Sequence, residues 1–318
     1  MKPLDVAAVP PTETNGYFGP SADPARIKSW FDEFGFCVVV DAFDPAEVRA
    51  LCDEATLICR GKRGAIKGAS PQPDELSDEE VLSQFLCIHF PHKVSEPVRD
   101  TLFHPAALQV LTQVIGPNVK CMQSMLFIKA AGKPGQPWHQ DEDYIPTRDR
   151  SLTGGWIALD DATVENGCLW VIPGSHRPGI LWEQEWHGDR RFDCSDESVG
   201  FPYADEDAIP VEVRAGSVVF FNGYLLHRSL PNTAATGTYR RALVNHFMSC
   251  ESHLAWAEKM PEGTSSAKWD SRDVVVVAGK DPYAHRGYVD EHEAILRPDG
   301  RSGCVDWGAS EHRDYRDS

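Results

Sequence analysis

The hydrophobic pattern of the chain changes near residue 119. Before that point, apolar residues recur at helical spacing between clear start and stop signals. Pro24 opens one predicted helix, and Asp44 with Glu47 three residues later forms a capping box before a second. The predicted helices cover ARIKSWFDEFG, PAEVRALCDEATLICR and FHPAALQVLTQVIG, and FCVVV is a predicted short strand between the first two.

Beyond residue 119 the apolar runs become short and are separated by Gly, Pro, Asn and Asp. These runs are VKCMQSMLFIKA, GGWIALDDA, GCLWVIPGSH, VEVRAGSVVFFNG and RRALVNHFMSC. Short apolar runs with frequent turn signals are typical of an antiparallel sandwich or barrel. We therefore predict a mainly β (α+β) protein in which helices pack outside a jelly-roll core.

The sequence contains no internal repeat and no linker that would divide it, so we expect one domain spanning residues 1–318. We expect four regions within it: an N-terminal arm (1–23), a mostly helical cover (24–118), the jelly-roll core (119–250) and a C-terminal wrap (251–318).

Charge and composition limit the classes of partner. The net charge of −17 disfavours a nucleic-acid backbone or an anionic membrane as the main partner, because both require a basic face. The sequence shows neither a signal peptide nor an apolar stretch of about 18 residues. We therefore expect a cytoplasmic protein, monomeric or homodimeric, that acts on a small molecule.

The nine cysteines carry no metal-binding signature. Their number is odd, and none forms a CxxC pair. Several lie in apolar runs such as GFCVVV and NGCLWVI. We expect reduced and mostly buried thiols.

The segment WHQDEDY places His139 and Asp141 two positions apart. On an extended backbone, residues i and i+2 point the same way, so both side chains would project together with Gln140 turned away. They are either ordinary polar residues on one face of a strand or two ligands of a metal site that needs a third. His227, at the end of the apolar run GSVVFFNGYLL, is the candidate third ligand. Two imidazoles and one carboxylate suit a non-haem Fe(II) oxygenase.

Many such oxygenases use 2-oxoglutarate, whose remote carboxylate requires a cation, and the planar fork of Arg is well suited to it. Arg240 and Arg241 open the strand that follows His227. Alternation places Arg240 on the same face as small and branched residues, so we choose Arg240 and expect Arg241 to be exposed or ion-paired. Ser229 shares the face of His227 and is a candidate hydroxyl donor to the same carboxylate.

The segments WHQDEDY, GGWIALDDATVENGCLWVIPGSHRPG, HRSLPN and YRRALVNHF resemble the phytanoyl-CoA dioxygenase family of Fe(II)/2-oxoglutarate-dependent oxygenases. The similarity extends from about residue 27 to about residue 250. It implies a double-stranded β-helix fold, one Fe(II), 2-oxoglutarate as cosubstrate and O₂ as oxidant. It also implies hydroxylation or another oxidation of an unactivated C–H bond, with release of succinate and CO₂.

By motif, the resemblance implies that His139, Asp141 and His227 are the iron ligands. Halogenating relatives lack the carboxylate so that a halide can take its place. The presence of Asp141 therefore favours hydroxylation or another oxidation over halogenation.

The resemblance also implies a cosubstrate pocket. Arg240 and Ser229 match the residues that hold the cosubstrate carboxylate, Trp156 matches an aromatic of the pocket, and Lys93 matches a lysine that reaches the cosubstrate from the helical region. Arg228 departs from the family pattern, because a glycine usually follows the histidine. The loop before Arg240 is also about two residues longer than usual.

Substrate contacts in such barrels come from strand faces and mouth loops. Gln123, Tyr144 and Arg148 are our candidates. The candidates for binding an anionic substrate are Arg148, Arg228, Arg286 and Arg297. We interpret His176 and His246 as structural residues.

Two alternative functions remain open at this point. One is a barrel that binds metal and 2-oxoglutarate without turnover. The other is a cupin-like metalloenzyme that uses Zn(II) or Mn(II) without a cosubstrate.

Overall fold

The computed structural model describes residues 15–252, 254–256 and 269–299, together with the backbone of residues 304–305 and 312–313. Its α-helices are α1 (Pro24–Phe34), α2 (Pro45–Cys59), α3 (Asp78–Leu82), α4 (Glu96–Asp100), α5 (Pro105–Val114) and α6 (Asp141–Tyr144). Short 3₁₀ turns occur at Pro91–Lys93, Thr101–Phe103, Asp205–Asp207 and Ala284–Arg286.

The strands up to the middle of the chain are β1 (Tyr17–Phe18), β2 (Phe36–Val39), β3 (Phe85–His89), β4 (Val119–Ala130), β5 (Gln136–His139), β6 (Thr153–Ala158), β7 (Leu169–Val171), β8 (Glu183–Glu185) and β9 (Glu197–Val199). They are followed by β10 (Ile209–Val211), β11 (Val218–Asn222), β12 (His227–Ser229), β13 (Tyr239–Ser249), β14 (Ala255–Trp256), β15 (Trp269–Asp270), β16 (Val275–Ala278), β17 (Ile295–Pro298), β18 (Cys304–Val305) and β19 (His312–Arg313).

Two sheets of unequal size form the barrel. The large sheet has the order β1-β2-β11-β6-β13-β4-β3-β17, with β16 also paired to β4, and the small sheet has the order β10-β7-β12-β5. Apolar side chains from the two sheets pack together between them, including Trp156 and Val244 of the large sheet and Val171 of the small one. This is the predicted double-stranded β-helix, and its interior holds the candidate site.

The helices pack on the outer face of the large sheet, as predicted. Ile27 and Phe31 of α1 and Ile58 of α2 belong to the same buried cluster as Ile157 and Leu243 of the sheet. The alternation of the strands therefore produces two cores: one between sheet and helices, and one inside the barrel.

Local sequence signals explain where the two longest helices begin and end. Asp23 accepts a hydrogen bond at the start of α1, and Gly35 closes that helix at φ 82°. Asp44 and Glu47 form the predicted capping box of α2.

The C-terminal part of the chain returns to the sheet. Strand β16 pairs with β4, and β17 pairs with β3 and forms one edge of the large sheet. Within residues 269–299, strands β16 and β17 thus extend the large sheet. At the other terminus, residues 1–14 of the predicted arm lie outside the described residues, whereas Tyr17 and Phe18 pair with β2.

The cysteine prediction is wrong at one position. Seven of the described cysteines have free thiols, and six of these are buried. Cys194, however, is disulfide-bonded. Its side chain is only half-buried and lies on a loop rather than in an apolar run, so the local pattern that protects the other thiols is missing there.

Across the residues that the structure describes, no helix is both long and apolar enough to cross a membrane.

A buried ion pair ties the C-terminal part of the chain to the barrel. Lys120 of β4 and Asp270 of β15 are both fully buried, and Lys120 Nζ lies 3.4 Å from Asp270 Oδ2. The same Nζ donates a hydrogen bond of 2.9 Å to the carbonyl of Ser252.

We expect Lys120→Met to lower the free energy of unfolding by about 3–5 kcal/mol, because it leaves the Asp270 carboxylate buried without a counter-charge. Urea denaturation followed by circular dichroism would measure the change. Lys62→Met is the matched control, since Lys62 and Asp74 are 52% and 89% exposed and such pairs contribute about 0–1 kcal/mol. Equal effects of the two substitutions would contradict the prediction.

Candidate metal centre and cosubstrate pocket

Strand pairing inside the small sheet brings the two candidate histidine ligands together. His139 ends β5 and His227 begins β12, and the two residues are direct cross-strand partners. Their ring centroids are 4.0 Å apart. Asp141 follows at the start of α6, with its Oδ1 3.7 Å from His139 Nε2 and 3.6 Å from His227 Nε2.

The three donor atoms fit a divalent metal. One ligand atom from each of the three residues lies within 4.8 Å of the others, and all three residues are buried. His139 Nδ1 is 2.8 Å from the carbonyl oxygen of Pro137, and His227 Nδ1 is 2.9 Å from that of Leu225. Each Nδ1 therefore carries the proton, which leaves the Nε2 lone pair directed at the site.

The charge states also suit metal binding. Burial acts to raise the pKa of Asp141, but His227, His246 and His139 outweigh it and hold this pKa well below its usual range. Burial, together with His139, lowers the pKa of His227 to about 4. At neutral pH the centre thus offers a carboxylate and a neutral imidazole, which are the ligand forms that a metal requires.

Neighbouring residues fix the orientation of the centre. Gln140 has an extended backbone and points away, as predicted, donating to the carbonyls of Ile180 and Tyr224 and accepting from the Trp182 amide. His246 of β13, interpreted from sequence as structural, has its Nε2 3.1 Å from Asp141 Oδ2. This contact occupies the carboxylate oxygen that faces away from the two ligand histidines.

A cationic pocket lies in the same cavity. Arg240 and Lys129 are direct cross-strand partners on β13 and β4, and both are buried. Arg240 Nε donates to the carbonyl of Gly167 at 3.0 Å, and its guanidinium carbon lies 5.6 Å from the Trp156 ring centroid. Lys129 Nζ lies 2.8 Å from Ser229 Oγ.

Neither cation has a carboxylate partner among the described residues. Burial lowers the pKa of Arg240 to about 10. Burial and the neighbouring Arg240 hold the pKa of Lys129 well below its usual range. Two adjacent buried cations without counter-ions are costly, and a bound anion would offset that cost.

The structure places Arg241 as predicted. Its guanidinium makes two hydrogen bonds to Asp160, of 2.9 and 2.7 Å, outside the cavity. The alternation of side chains along β13 thus separates the two arginines into one that lines the cavity and one that pairs outside it.

The candidate site residues that line one common cavity, of ≈ 210 Å³, are His139, Asp141, His227, Arg240, Ser229, Trp156, Gln123 and Tyr144. The sequence did not single out Lys129, although it lies six residues after Gln123 on β4 and alternation places both on the inner face.

Two candidates lie elsewhere. The ammonium of Lys93 pairs with Asp273 and Asp290 and does not line the cavity, because the C-terminal part of the chain supplies these two carboxylates nearby. Arg148 is exposed on the loop after α6 and is also absent from the cavity lining. The structure therefore does not support the predicted contacts of these two residues.

Comparison with known proteins identifies the family. The sequence profile of phytanoyl-CoA dioxygenase (PhyH) matches residues 31–242. The chain belongs to the phytanoyl-CoA dioxygenase family. This is a family of Fe(II)/2-oxoglutarate-dependent oxygenases, and the matched span includes all three metal-ligand candidates and Arg240.

Curated members of the phytanoyl-CoA dioxygenase family match different shares of the chain. Phytanoyl-CoA dioxygenase of Arabidopsis thaliana is 36% identical over 154 residues, which cover 44% of this chain and 50% of that protein. The peroxisomal phytanoyl-CoA dioxygenase of Homo sapiens is 26% identical over 273 residues, covering 80% and 75%. The chain thus spans about half the length of the plant relative.

Solved structures share the fold of this phytanoyl-CoA dioxygenase family member. The non-heme monooxygenase ThoJ superposes with a TM-score of 0.61 at 21% identity, covering 84% of this chain and 87% of that one. EvdO2 from Micromonospora carbonacea var. aurantiaca, solved with 2-oxoglutarate, gives a TM-score of 0.53 at 25% identity, covering 72% and 91%.

Losing a residue that only supports a metal ligand typically weakens metal binding about 10–100-fold. We expect a larger loss of Fe(II) affinity in His227→Ala, because this substitution removes a ligand atom. Anaerobic metal titration would measure this affinity. His176→Ala is the control, since His176 does not line the cavity and its Nε2 bonds to the carbonyl of Asp32. Unchanged affinity in His227→Ala would disprove the metal assignment.

We expect Arg240→Gln to weaken 2-oxoglutarate binding about 10–100-fold, because a charged hydrogen-bonding group is lost. Isothermal titration calorimetry of the metal-loaded protein would measure this. Arg241→Gln is a neighbouring control that should leave the affinity unchanged. A larger loss in Arg241→Gln would show that the two arginines are assigned the wrong way round.

Proposed function

We propose that this chain is an Fe(II)- and 2-oxoglutarate-dependent dioxygenase that hydroxylates, or otherwise oxidises, an unactivated C–H bond of a small-molecule substrate. The observation that carries the proposal is the coexistence, in one cavity, of a two-histidine, one-carboxylate metal centre and a pair of buried cations that have no counter-ion among the described residues. The first suits Fe(II), and the second suits a carboxylate.

The residues of the centre would hold the metal on one side and leave the opposite side open to ligands. His139, Asp141 and His227 supply three donor atoms, which is half of an octahedral set. His246 contacts Asp141 Oδ2, so Asp141 would offer Oδ1 to the metal. Iron bound there supplies the activation of dioxygen, with 2-oxoglutarate as the source of two electrons.

The cationic pocket would orient the cosubstrate. Arg240 and Lys129 neutralise its remote carboxylate, and Ser229 Oγ, already hydrogen-bonded to Lys129, contributes a further polar contact. Trp156 lies beside the Arg240 guanidinium and would shield an ion pair formed there from water.

The overall reaction balances as one oxygen atom to the substrate and one to succinate. Substrate C–H, O₂ and 2-oxoglutarate give the alcohol, succinate and CO₂. The protein contributes geometry and exclusion of water, so the reaction requires no protein side chain to be oxidised or reduced.

The buried pair of Lys129 and Arg240 also bears on the two alternatives. A cupin-like enzyme without cosubstrate would have no need for buried positive charge at Lys129 and Arg240, which is costly in the absence of an anion. A non-catalytic barrel that binds both iron and 2-oxoglutarate is distinguished from the proposed enzyme by turnover.

Anaerobic addition of Fe(II) and 2-oxoglutarate should produce the weak visible absorption band of the ferrous–2-oxoglutarate complex, and admission of O₂ should release succinate. Asp141→Ala should abolish both, because it removes the carboxylate ligand. Arg214→Gln, an exposed substitution on the outer surface, should retain both. A band without any succinate in the unsubstituted protein would favour the non-catalytic alternative, and no band at all would refute the proposal.

A further inference from the structure

The C-terminal strand supplies one wall of the cavity. Arg297 of β17 is the cross-strand partner of Cys87 on β3, and Cys87 is the partner of Phe127 on β4. All three line the cavity, because cross-strand partners point to the same face of a sheet. The family profile ends at residue 242. Arg297 therefore adds to the cavity a residue from beyond the matched span.

The contact found for the Arg297 guanidinium occupies only some of its hydrogen-bond donors. Its Nη1 lies 3.3 Å from Asp193 Oδ2, a single long contact with 18% of the side chain exposed. The other oxygen of Asp193 accepts hydrogen bonds from the amide and hydroxyl of Ser195. An arginine has five N–H donors in a planar fork. Donors thus remain for a planar oxyanion that enters the cavity.

Two further buried residues on this wall each have one polar side-chain atom without a hydrogen bond in the part of the chain that the structure describes. Gln123 and His89 are 5% and 9% exposed, and both line the cavity. These atoms are Gln123 Oε1 and His89 Nδ1. Leaving such groups unpaired is costly, so a ligand with a complementary polar group would be stabilised here.

The wall connects Arg297 to the metal centre. Burial, followed by the charges of Arg297 and His246, lowers the pKa of His89 to about 3, so His89 is neutral at pH 7. Strand register gives the position of His89. Arg297 pairs with Cys87, two residues before His89 on β3. His89 pairs with Met125, two residues after Gln123, and Gln123 pairs with His246. The row of His89 therefore lies between the rows of Arg297 and His246 on one face of the sheet. A short molecule anchored at Arg297 would extend past His89 toward the metal ligands.

Size and charge restrict the ligand. The cavity volume of ≈ 210 Å³ is below the roughly 300–1,000 Å³ of typical small-molecule sites, so a compact substrate is favoured. Asp193 beside Arg297 reduces the positive charge available to a ligand there, which disfavours a dianion such as a phosphate at this position. A single carboxylate matches the remaining fork.

We propose that the substrate is a compact monocarboxylic acid, with its carboxylate paired to Arg297 and a hydroxyl or amino group donating to Gln123 Oε1. This inference rests on the proposed function, since the C–H bond to be oxidised would lie between this anchor and the iron ligands.

The test measures binding to the full chain loaded with Ni(II) and 2-oxoglutarate. The probes are short-chain hydroxy and amino monocarboxylic acids, each compared with its neutral primary amide by isothermal titration calorimetry. At least one acid should bind, and its amide should bind about 10–100-fold more weakly. Arg297→Gln should reduce the affinity for the acid to that for the amide, whereas Arg214→Gln should leave it unchanged.

Three results would overturn the inference: no binding by any acid, equal binding of acid and amide, or unchanged affinity in Arg297→Gln. The anaerobic ferrous–2-oxoglutarate band separates this failure from failure of the proposed function. The band should persist in Arg297→Gln because the three metal ligands, Arg240 and Lys129 are unchanged, and Arg297 lies two strands from Lys129 in the large sheet. Absence of the band from the unsubstituted protein would count against the dioxygenase proposal instead.

Discussion

The backbone pairing of β5 with β12 is the constraint on which the candidate centre depends. These two short strands are adjacent in the small sheet although their sequences are far apart, and their register places His139 directly opposite His227. Asp141 then needs only one extended residue, Gln140, to reach the same point. The imidazoles are oriented by carbonyls two residues earlier in the chain, so each ligand carries its own local support.

Rows of cross-strand partners on the large sheet divide the cavity into two ends. The row of Lys129 and Arg240 forms the cationic end, and the row of Gln123 and His246 lies beside Asp141. Because cross-strand partners share a face, each row places two polar groups next to each other in an otherwise apolar interior. The metal centre lies on the facing small sheet. The register of the strands, rather than the loops, therefore keeps the cationic end apart from the end beside Asp141.

Much of this arrangement could be predicted from local pattern. Alternation along β13 distinguished Arg240 from Arg241, and capping signals located α1 and α2. Other features required knowledge of distant contacts. Strand β3 lies in a region predicted to be mostly helical. The sequence does not predict this strand because five residues do not reveal its pairing with β4 and β17. The family resemblance predicts Lys93 at the cosubstrate. No local pattern indicates its carboxylate partners Asp273 and Asp290, which lie 180 and 197 residues later.

Strand β17 has a second effect, on how the barrel meets its surroundings. A sheet that ended at β3 would expose the backbone groups of the apolar segment FLCIH, and an open apolar edge promotes association between molecules. β17 covers that edge with four residues and ends in Pro298, which has no N–H to donate to a further strand. Resistance to association and the proposed substrate selectivity therefore both depend on one short strand. Evolutionary change at this edge would be constrained by both.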